Sequence, residues 1–191
     1  MWLFLATEVL FFGAIVLSWI YCRRWNPAGF DAGAQQTQLG IGTINTVILL
    51  TSSLVYSVGL AFIEAGNRRR LIQCCALAWA LGLAFLILKF GIEYHKDFAQ
   101  HLFPGPDFAI NGALGGGARL FFVFYFVSTA VHGIHMIGGL ILVGWIILRA
   151  RGDEFSPLYH TPVVVVGLYW SFVDVVWIVL YALIYLVGRG S

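Results

Sequence analysis

The chain has 191 residues, of which 60% are hydrophobic and 10% are charged, and its formal net charge at pH 7 is +2. Soluble globular chains carry about a quarter charged residues, so this composition excludes that class and indicates an integral membrane protein. The small, dispersed charge does not favour a nucleic-acid partner, and the three cysteines form neither a C-x-x-C nor a C-x-x-C-H motif. We therefore expect no attached c-type haem, no thiolate metal site and no disulfide framework.

Five long apolar segments are predicted to cross the bilayer. A hydrocarbon core about 30 Å thick requires roughly 20 apolar residues per helix. Because backbone amides find no water partner in lipid, and because these runs do not alternate as barrel strands do, we predict an all-α polytopic membrane helical bundle. It forms a single membrane domain over residues 1–191. Its helices are predicted at approximately 1–22, 40–64, 71–94, 119–149 and 162–188.

The first segment carries one charged residue in its apolar run, Glu8. No basic stretch precedes this segment and no small-residue cleavage site follows it, so we expect a retained helix rather than a removable signal peptide. A charge at the bilayer centre costs roughly 2.5 to 3.5 kcal/mol, so it normally faces the bundle interior and has a partner there. Glu8 is therefore a candidate site residue.

The second and third segments contribute three secondary polar candidates. Asn45 lies in the second, within INTVILLTSS, and Lys89 and Glu93 lie four residues apart near the end of the third. At this spacing Lys89 can pair with Glu93 or extend its stem towards the interface. The stretch FPGPDFAINGALGGGAR follows, and its glycines and prolines predict an irregular surface loop.

In the fourth segment, His132 and His135 stand three residues apart in VHGIHMIGG and share a helical face. In the fifth, Asp174 interrupts an otherwise charge-free run, with Trp170 and Trp177 on the same face. Because an intramembrane carboxylate requires a partner, we expect Asp174 to meet hydrogen-bond donors on neighbouring helices, with His132 or His135 as the candidates.

Three explanations of the buried polar set, Glu8, His132, His135 and Asp174, are compatible with the pattern. The two imidazoles could bind one metal or haem, although haem ligands in bundles usually come from facing helices. The set could form a proton or ion pathway, as in an independent transporter. Alternatively, the groups hydrogen-bond one another to fix helix register and dock other membrane subunits. We favour this third, structural explanation on physical grounds and expect no metal in this chain.

The distribution of basic residues does not predict which way the chain is oriented in the membrane. The orientation rule compares Lys and Arg on the two sides. One side has Arg68, Arg69, Arg70, Arg149 and Arg151, and the other has Arg23, Arg24, Lys96, Arg119 and Arg189. The counts are equal, so charge alone leaves the topology open.

Five sequence stretches together resemble a known family. MWLFLATEVLFF, INTVILLTSS, GIEY, VHGIHMIGG and LYWSFVDVVWIVLYALIYLVG occur in the order, and at roughly the spacing, found in subunit III of haem-copper cytochrome c oxidases. The resemblance covers essentially the whole chain. The set is similar to the last five helices of the seven-helix form and to the five-helix form of some bacterial oxidases.

The resemblance implies a subunit without a redox centre that packs on catalytic subunit I, and through it on subunit II, within a respiratory complex of aerobic electron transport. Haem and copper would lie in those partner subunits, which reduce O₂ and pump protons. The family is associated with sustaining proton uptake and with binding phospholipid, for which Glu8 and Trp2 are candidate contacts. Its intramembrane glutamate, histidine pair and last-helix aspartate correspond to Glu8, to His132 with His135, and to Asp174. Its topology would place the N-terminus on the cytoplasmic side of a bacterial inner membrane.

The sequence departs from the family pattern in two respects. Ser171 stands where the family often has histidine in YWHFVDVVW, so a role of that imidazole is not transferred. The first helix pair of the seven-helix form, which helps to enclose lipid, has no counterpart. Two other functions stay open within the resemblance: subunit III of a quinol oxidase, and an accessory membrane subunit of a nitric-oxide reductase.

Overall fold

The computed structural model describes residues 2–106, 108–110 and 112–189. The predicted domain limits at Met1 and Ser191 lie outside these ranges. Within them the chain is helical almost throughout and has no strand. The helices are α1 (Trp2–Trp25), α2 (Pro27–Gln36), α3 (Leu39–Glu64), α4 (Arg68–Leu86), α5 (Tyr94–Ala99), α6 (Gly115–Arg151) and α7 (Thr161–Tyr181), with π-helical segments at Ile87–Glu93 and Ala182–Leu186.

Five helical stretches are long and apolar enough to cross a membrane. They are Trp2–Trp25, Leu39–Glu64, Arg68–Ala99, Gly115–Arg151 and Thr161–Leu186. The all-α membrane bundle with five transmembrane helices is thereby confirmed. The third stretch joins α4 and α5 through the first π-helical segment, so it reaches Ala99 rather than ending near residue 94 as predicted.

The glycine-rich region before the fourth span is partly helical, contrary to the loop prediction. Helix α6 begins at Gly115, whereas the sequence predicted a start near residue 119. A Cβ atom on Gly29 of α2 would lie only 2.6 Å from the Cα atom of Gly117. Gly117 therefore serves close backbone packing between α2 and α6 instead of a flexible turn.

The bundle centres on α3, α4, α6 and α7, whereas α1 lies at its edge. Helix α3 packs along α4, and α6 and α7 complete the core. Helix α1 contacts α2, α6 and α7, but only Phe12 and Trp19 are buried among its residues. Most of the apolar surface of α1 is therefore available to lipid or to another polypeptide.

Trp170 of α7 fills a notch formed by two glycines. A Cβ atom on Gly82 of α4 would lie 2.7 Å from the indole ring, and one on Gly139 of α6 would lie 2.9 Å from it. The indole N–H donates to the hydroxyl of Ser52 at 3.2 Å, and Ser52 donates to the Ala78 carbonyl at 2.9 Å. This arrangement joins four helices around one side chain.

Candidate functional site

Glu8 and His135 join α1 to α6. The carboxylate oxygen Oε2 of Glu8 lies 3.0 Å from Nε2 of His135, and Nδ1 of His135 lies 2.8 Å from the Val131 carbonyl oxygen. Because a carbonyl only accepts, Nδ1 carries a hydrogen. Nε2 then accepts from a protonated Glu8 or, in the doubly protonated ring, donates to the carboxylate. Phe12 packs edge-on against the imidazole, with ring centroids 5.2 Å apart.

His132 is enclosed by aromatic rings. Its ring centroid lies 5.6 Å from that of Phe85 and 5.1 Å from that of Trp177. Only 1% of the residue is exposed, and neither ring nitrogen has a hydrogen-bond partner among the described residues. His132 therefore does not form the imidazole pair with His135 that a shared ion would require.

The expected pairing of Asp174 with a histidine is wrong. Both carboxylate oxygens of Asp174 are buried without a hydrogen-bond partner in the described part of the chain. The physical reason lies on α6, where His135 already uses both ring nitrogens and His132 is surrounded by Phe85 and Trp177. The predicted polar set is therefore not one network.

The tryptophans on either side of Asp174 bind hydroxyl groups of α3. Trp170 reaches Ser52, and the Trp177 N–H donates to Thr46 Oγ1 at 3.0 Å. Asn45, one residue before Thr46, is fully buried, and its side-chain amide has no hydrogen-bond partner within the described ranges. The shared face of α7 thus faces the bundle interior, one of the two placements, interior or subunit-facing, that its spacing allowed.

The most extensive polar cluster surrounds Lys89, which the sequence marked only as secondary. Lys89 Nζ lies 3.1 Å from Glu93 Oε2 and donates to the hydroxyls of Tyr125 at 2.9 Å and Tyr185 at 2.7 Å. Tyr125 lies within hydrogen-bond distance of both Glu93 and Asp97, and Tyr185 also donates to Glu93. We call Lys89, Glu93, Asp97, Tyr125 and Tyr185 the lysine cluster.

Sequence reasoning missed three members of the lysine cluster. Asp97 continues the four-residue spacing of Lys89 and Glu93, so this spacing could have indicated it as a third member. The predicted helix ended at residue 94, however, which placed Asp97 in a loop. Tyr125 and Tyr185 carry no such signal, because tyrosines are common at membrane interfaces. Only the packing of α6 and the second π-helical segment brings their hydroxyls to Lys89.

The outer surface carries an apolar groove between α1, α6 and α7. Its volume is about 830 Å³, and its lining includes Phe4, Trp145 and Tyr169. Trp2, at the start of α1, is 77% exposed. Across the described ranges, no group of three or more His, Cys, Asp or Glu side chains is placed to hold a metal ion.

This architecture, five apolar spans with their ionisable groups turned between helices, defines a multi-pass, all-α membrane protein. Residues 1–189 match the protein family described as cytochrome c oxidase subunit III. The chain belongs to the cytochrome c oxidase subunit III family. The resemblance seen in the sequence motifs is thereby confirmed.

Relatives from three organisms agree with this assignment. The chain is 30% identical to a probable cytochrome c oxidase subunit 3 of Nocardia farcinica, with 97% of this chain and 85% of the relative aligned. It is 30% identical to cytochrome c oxidase subunit 3 of Thermostichus vulcanus at the same two coverages. It is also 28% identical to a heme-copper oxidase subunit I+III of Aeropyrum pernix, with 98% of this chain but 22% of that protein aligned. These names support membership of an oxidase complex.

Proposed function

We propose that this chain is the non-redox membrane subunit III of a proton-pumping haem-copper terminal oxidase, in which it packs on catalytic subunit I, stabilises it and supports its proton uptake. The observation that carries the proposal is the family match over residues 1–189. The Aeropyrum pernix relative adds to it, because its name assigns subunits I and III to one protein. Haem and copper belong to the partner subunits, and subunit II is reached through subunit I.

The placement of the polar groups supports a structural role. Glu8 binds His135 across α1 and α6, Trp170 binds Ser52 across α7 and α3, and the lysine cluster joins the third span to α6 and the end of α7. These contacts fix how the helices sit against one another. They leave the outer helix faces largely apolar, which suits contact with a membrane-embedded partner and with phospholipid.

The test is purification of the complex from its native membrane in mild detergent, with an affinity tag on this chain and an untagged strain as the control. An absorbance spectrum that shows haem a, together with copper in stoichiometric amount, is the expected result. Haem b with non-haem iron would instead assign the chain to a nitric-oxide reductase. A colourless chain recovered alone from intact membranes, with no oxidase subunit, would contradict the proposal and favour a transporter.

The electron donor of the complex can be identified by activity measurements on the same preparation. Oxygen consumption with reduced cytochrome c, and not with a quinol, is expected of a cytochrome c oxidase. The reverse preference would assign the complex to a quinol oxidase, in which the proposed place of this chain beside subunit I is unchanged.

A further inference from the structure

The lysine cluster encloses one cation and two carboxyl groups away from solvent. Lys89, Glu93 and Asp97 are 1%, 0% and 2% exposed. All three lie near the end of the third span, and the lysine cluster as a whole joins this end to the start of the fourth span and the end of the fifth, on the side of the bundle opposite the N-terminus. If both carboxyl groups were ionised, the cluster would carry a net charge of −1 in a nearly dry environment. Burying such an uncompensated charge is strongly unfavourable.

Lys89 forms no hydrogen bond or ion pair with Asp97 among the described residues. Its ammonium group donates to Tyr125 Oη at 2.9 Å and Tyr185 Oη at 2.7 Å and pairs with Glu93, whose Oε2 lies 3.1 Å away. The hydroxyl of Tyr185 in turn donates its single hydrogen to Glu93 Oε1. The hydrogen in the contact between Tyr125 and Asp97 must therefore come from one of those two side chains.

Tyr125 has one hydrogen but two carboxyl oxygens beside it. Its Oη lies 3.1 Å from Glu93 Oε1 and 2.7 Å from Asp97 Oδ2. With both carboxyl groups ionised, one of these two close oxygen–oxygen contacts would contain no hydrogen. A proton on Asp97 removes the shortage, because Asp97 then donates to Tyr125 and Tyr125 donates to Glu93. The same proton makes the cluster neutral.

Among the described residues, no cation other than Lys89 forms an ion pair with the carboxyl groups of the cluster. The rings of Tyr94 and Trp177 lie 5.7 Å and 5.6 Å from Lys89 Nζ and stabilise the cation already present. The hydroxyl of Tyr94 is engaged with Thr129. His132 of α6 packs on Trp177 and forms no hydrogen bond within the described ranges.

Two arginines, one at the end of α1 and one after the last π-helical segment, also have other partners. Arg23 pairs with Asp31 of α2 at 2.8 Å, and Arg189 donates to the Thr37 carbonyl. Charge balance in the lysine cluster therefore depends on a bound proton.

We propose that Asp97, Tyr125 and Glu93 form a proton-binding site inside the membrane domain, which holds one exchangeable proton on Asp97 and can pass it through Tyr125 to Glu93. Transfer along this chain moves the Asp97 hydrogen to Tyr125 Oη and the Tyr125 hydrogen to Glu93 Oε1, so no bond other than O–H is formed or broken. The site is built from this chain alone and does not rest on the proposed place of the chain in an oxidase.

Infrared spectroscopy of the purified full-length chain tests the protonation directly. Aspartate carrying carbon-13 in its side-chain carboxyl is incorporated into a chain with Asp107→Asn and Asp174→Asn. Asp97 is then the remaining aspartate outside an ion pair, because Asp31 and Asp153 pair with arginines. We expect, at neutral pH, a carbonyl band of a protonated carboxylic acid that shifts with the label and in D₂O. A spectrum without this band would overturn the proposal.

Two variants provide an independent readout. Asp97→Asn keeps a neutral donor for Tyr125, so we expect loss of the band in the labelled chain with Asp107→Asn and Asp174→Asn, and little change in the thermal midpoint of the otherwise unmodified chain. Asp97→Ala removes the donor and should lower the midpoint clearly. If Asp97→Asn lowered the midpoint as far as Asp97→Ala, the carboxyl would be required as an anion and the proposal would fail.

Discussion

The hydrogen bond between Glu8 and His135 is the polar contact that holds α1 to the rest of the bundle through α6. It spans 127 positions of sequence, and both side chains are only partly buried, at 18% and 19% exposure. Lipid supplies no hydrophobic drive for helices to associate, so a helix at the bundle edge depends on packing and on such bonds. Glu8 and His135 thus contribute to the docking of α1, together with the Arg23–Asp31 ion pair to α2.

A double-mutant cycle between Glu8→Ala and His135→Ala should give a coupling free energy of about 0.6 to 1.7 kcal/mol, the range measured for hydrogen bonds between membrane helices. Unfolding in mixed detergent micelles provides the measurement. Thr7→Val is the matched control, because the Thr7 hydroxyl bonds only the Phe4 carbonyl of its own helix. Independent, additive effects of the two alanines would contradict the pairing.

At the scale of elements, α2 and α6 contact each other through main-chain atoms, with no side chain between them at the crossing. Gly29 and Gly117 face each other so closely that a methyl group on either would overlap the other glycine. Small residues at a crossing let helices approach to this distance, and the resulting dispersion between the two backbones is the main attraction available in lipid. This close approach explains why the connection between the first two spans is an ordered helix rather than a loop.

We expect Gly29→Ala to destabilise the chain by about 1 to 3 kcal/mol, the usual cost of overpacking, despite the better helix propensity of alanine. Gly13→Ala in α1 is the control, since no atom lies within 4 Å of the added Cβ. It should leave stability unchanged or raise it by up to about 1 kcal/mol. Equal effects of the two substitutions, measured by detergent unfolding, would show that the α2–α6 contact does not contribute.

The two π-helical segments are the elements that sequence patterns could not reveal. In the first, the Tyr94 N–H bonds the Lys89 carbonyl, and in the second the Val187 N–H bonds the Ala182 carbonyl, each five residues apart. Such segments are frequent at functional sites. Here they carry Lys89, Glu93 and Tyr185, so the irregular backbone and the lysine cluster occur together.

At the scale of the molecule, five spans place the two chain ends on opposite sides of the membrane. Basic residues are equal in number on the two sides, but several are paired: Arg68 with Asp153 and Arg149 with Glu154 on the N-terminal side, and Arg23 with Asp31 on the other. Since acidic residues contribute little to orientation, these pairs do not break the tie. The cytoplasmic N-terminus proposed from the family therefore needs a direct test.

Single-cysteine labelling in a background without Cys22, Cys74 and Cys75 would decide the orientation. Leu158, between α6 and α7, is 99% exposed and lies on the N-terminal side. We expect Leu158→Cys to react with a membrane-impermeant thiol reagent only in inside-out vesicles, because the family topology would place that side in the cytoplasm. Gln100→Cys, at the opposite end of the bundle, should react only in intact cells. The reversed pattern would place the N-terminus outside.

The number of spans, their approximate limits and the family could be predicted from the sequence, because runs of apolar residues have one stable solution in lipid. The pairing between the polar residues could not be predicted from the sequence. Both imidazoles were plausible partners of Asp174, yet helix rotation assigns His135 to Glu8 and leaves His132 among aromatic rings. Lys89 and Glu93 were recognised as a pair, but the tyrosines that complete their cluster come from α6 and from the end of the chain.

The edge position of α1 has a consequence for biogenesis. Translation proceeds from the N-terminus, so α1 is made long before α6. His135 follows Glu8 by 127 positions, so Glu8 enters the membrane before its partner has been synthesised. Helix α7, which also contacts α1, is made later still, whereas α2 follows α1 directly. Helix α1 can therefore meet α2 as soon as both are made, but its contacts with α6 and α7, including the one between Glu8 and His135, form only after most of the described chain has been synthesised.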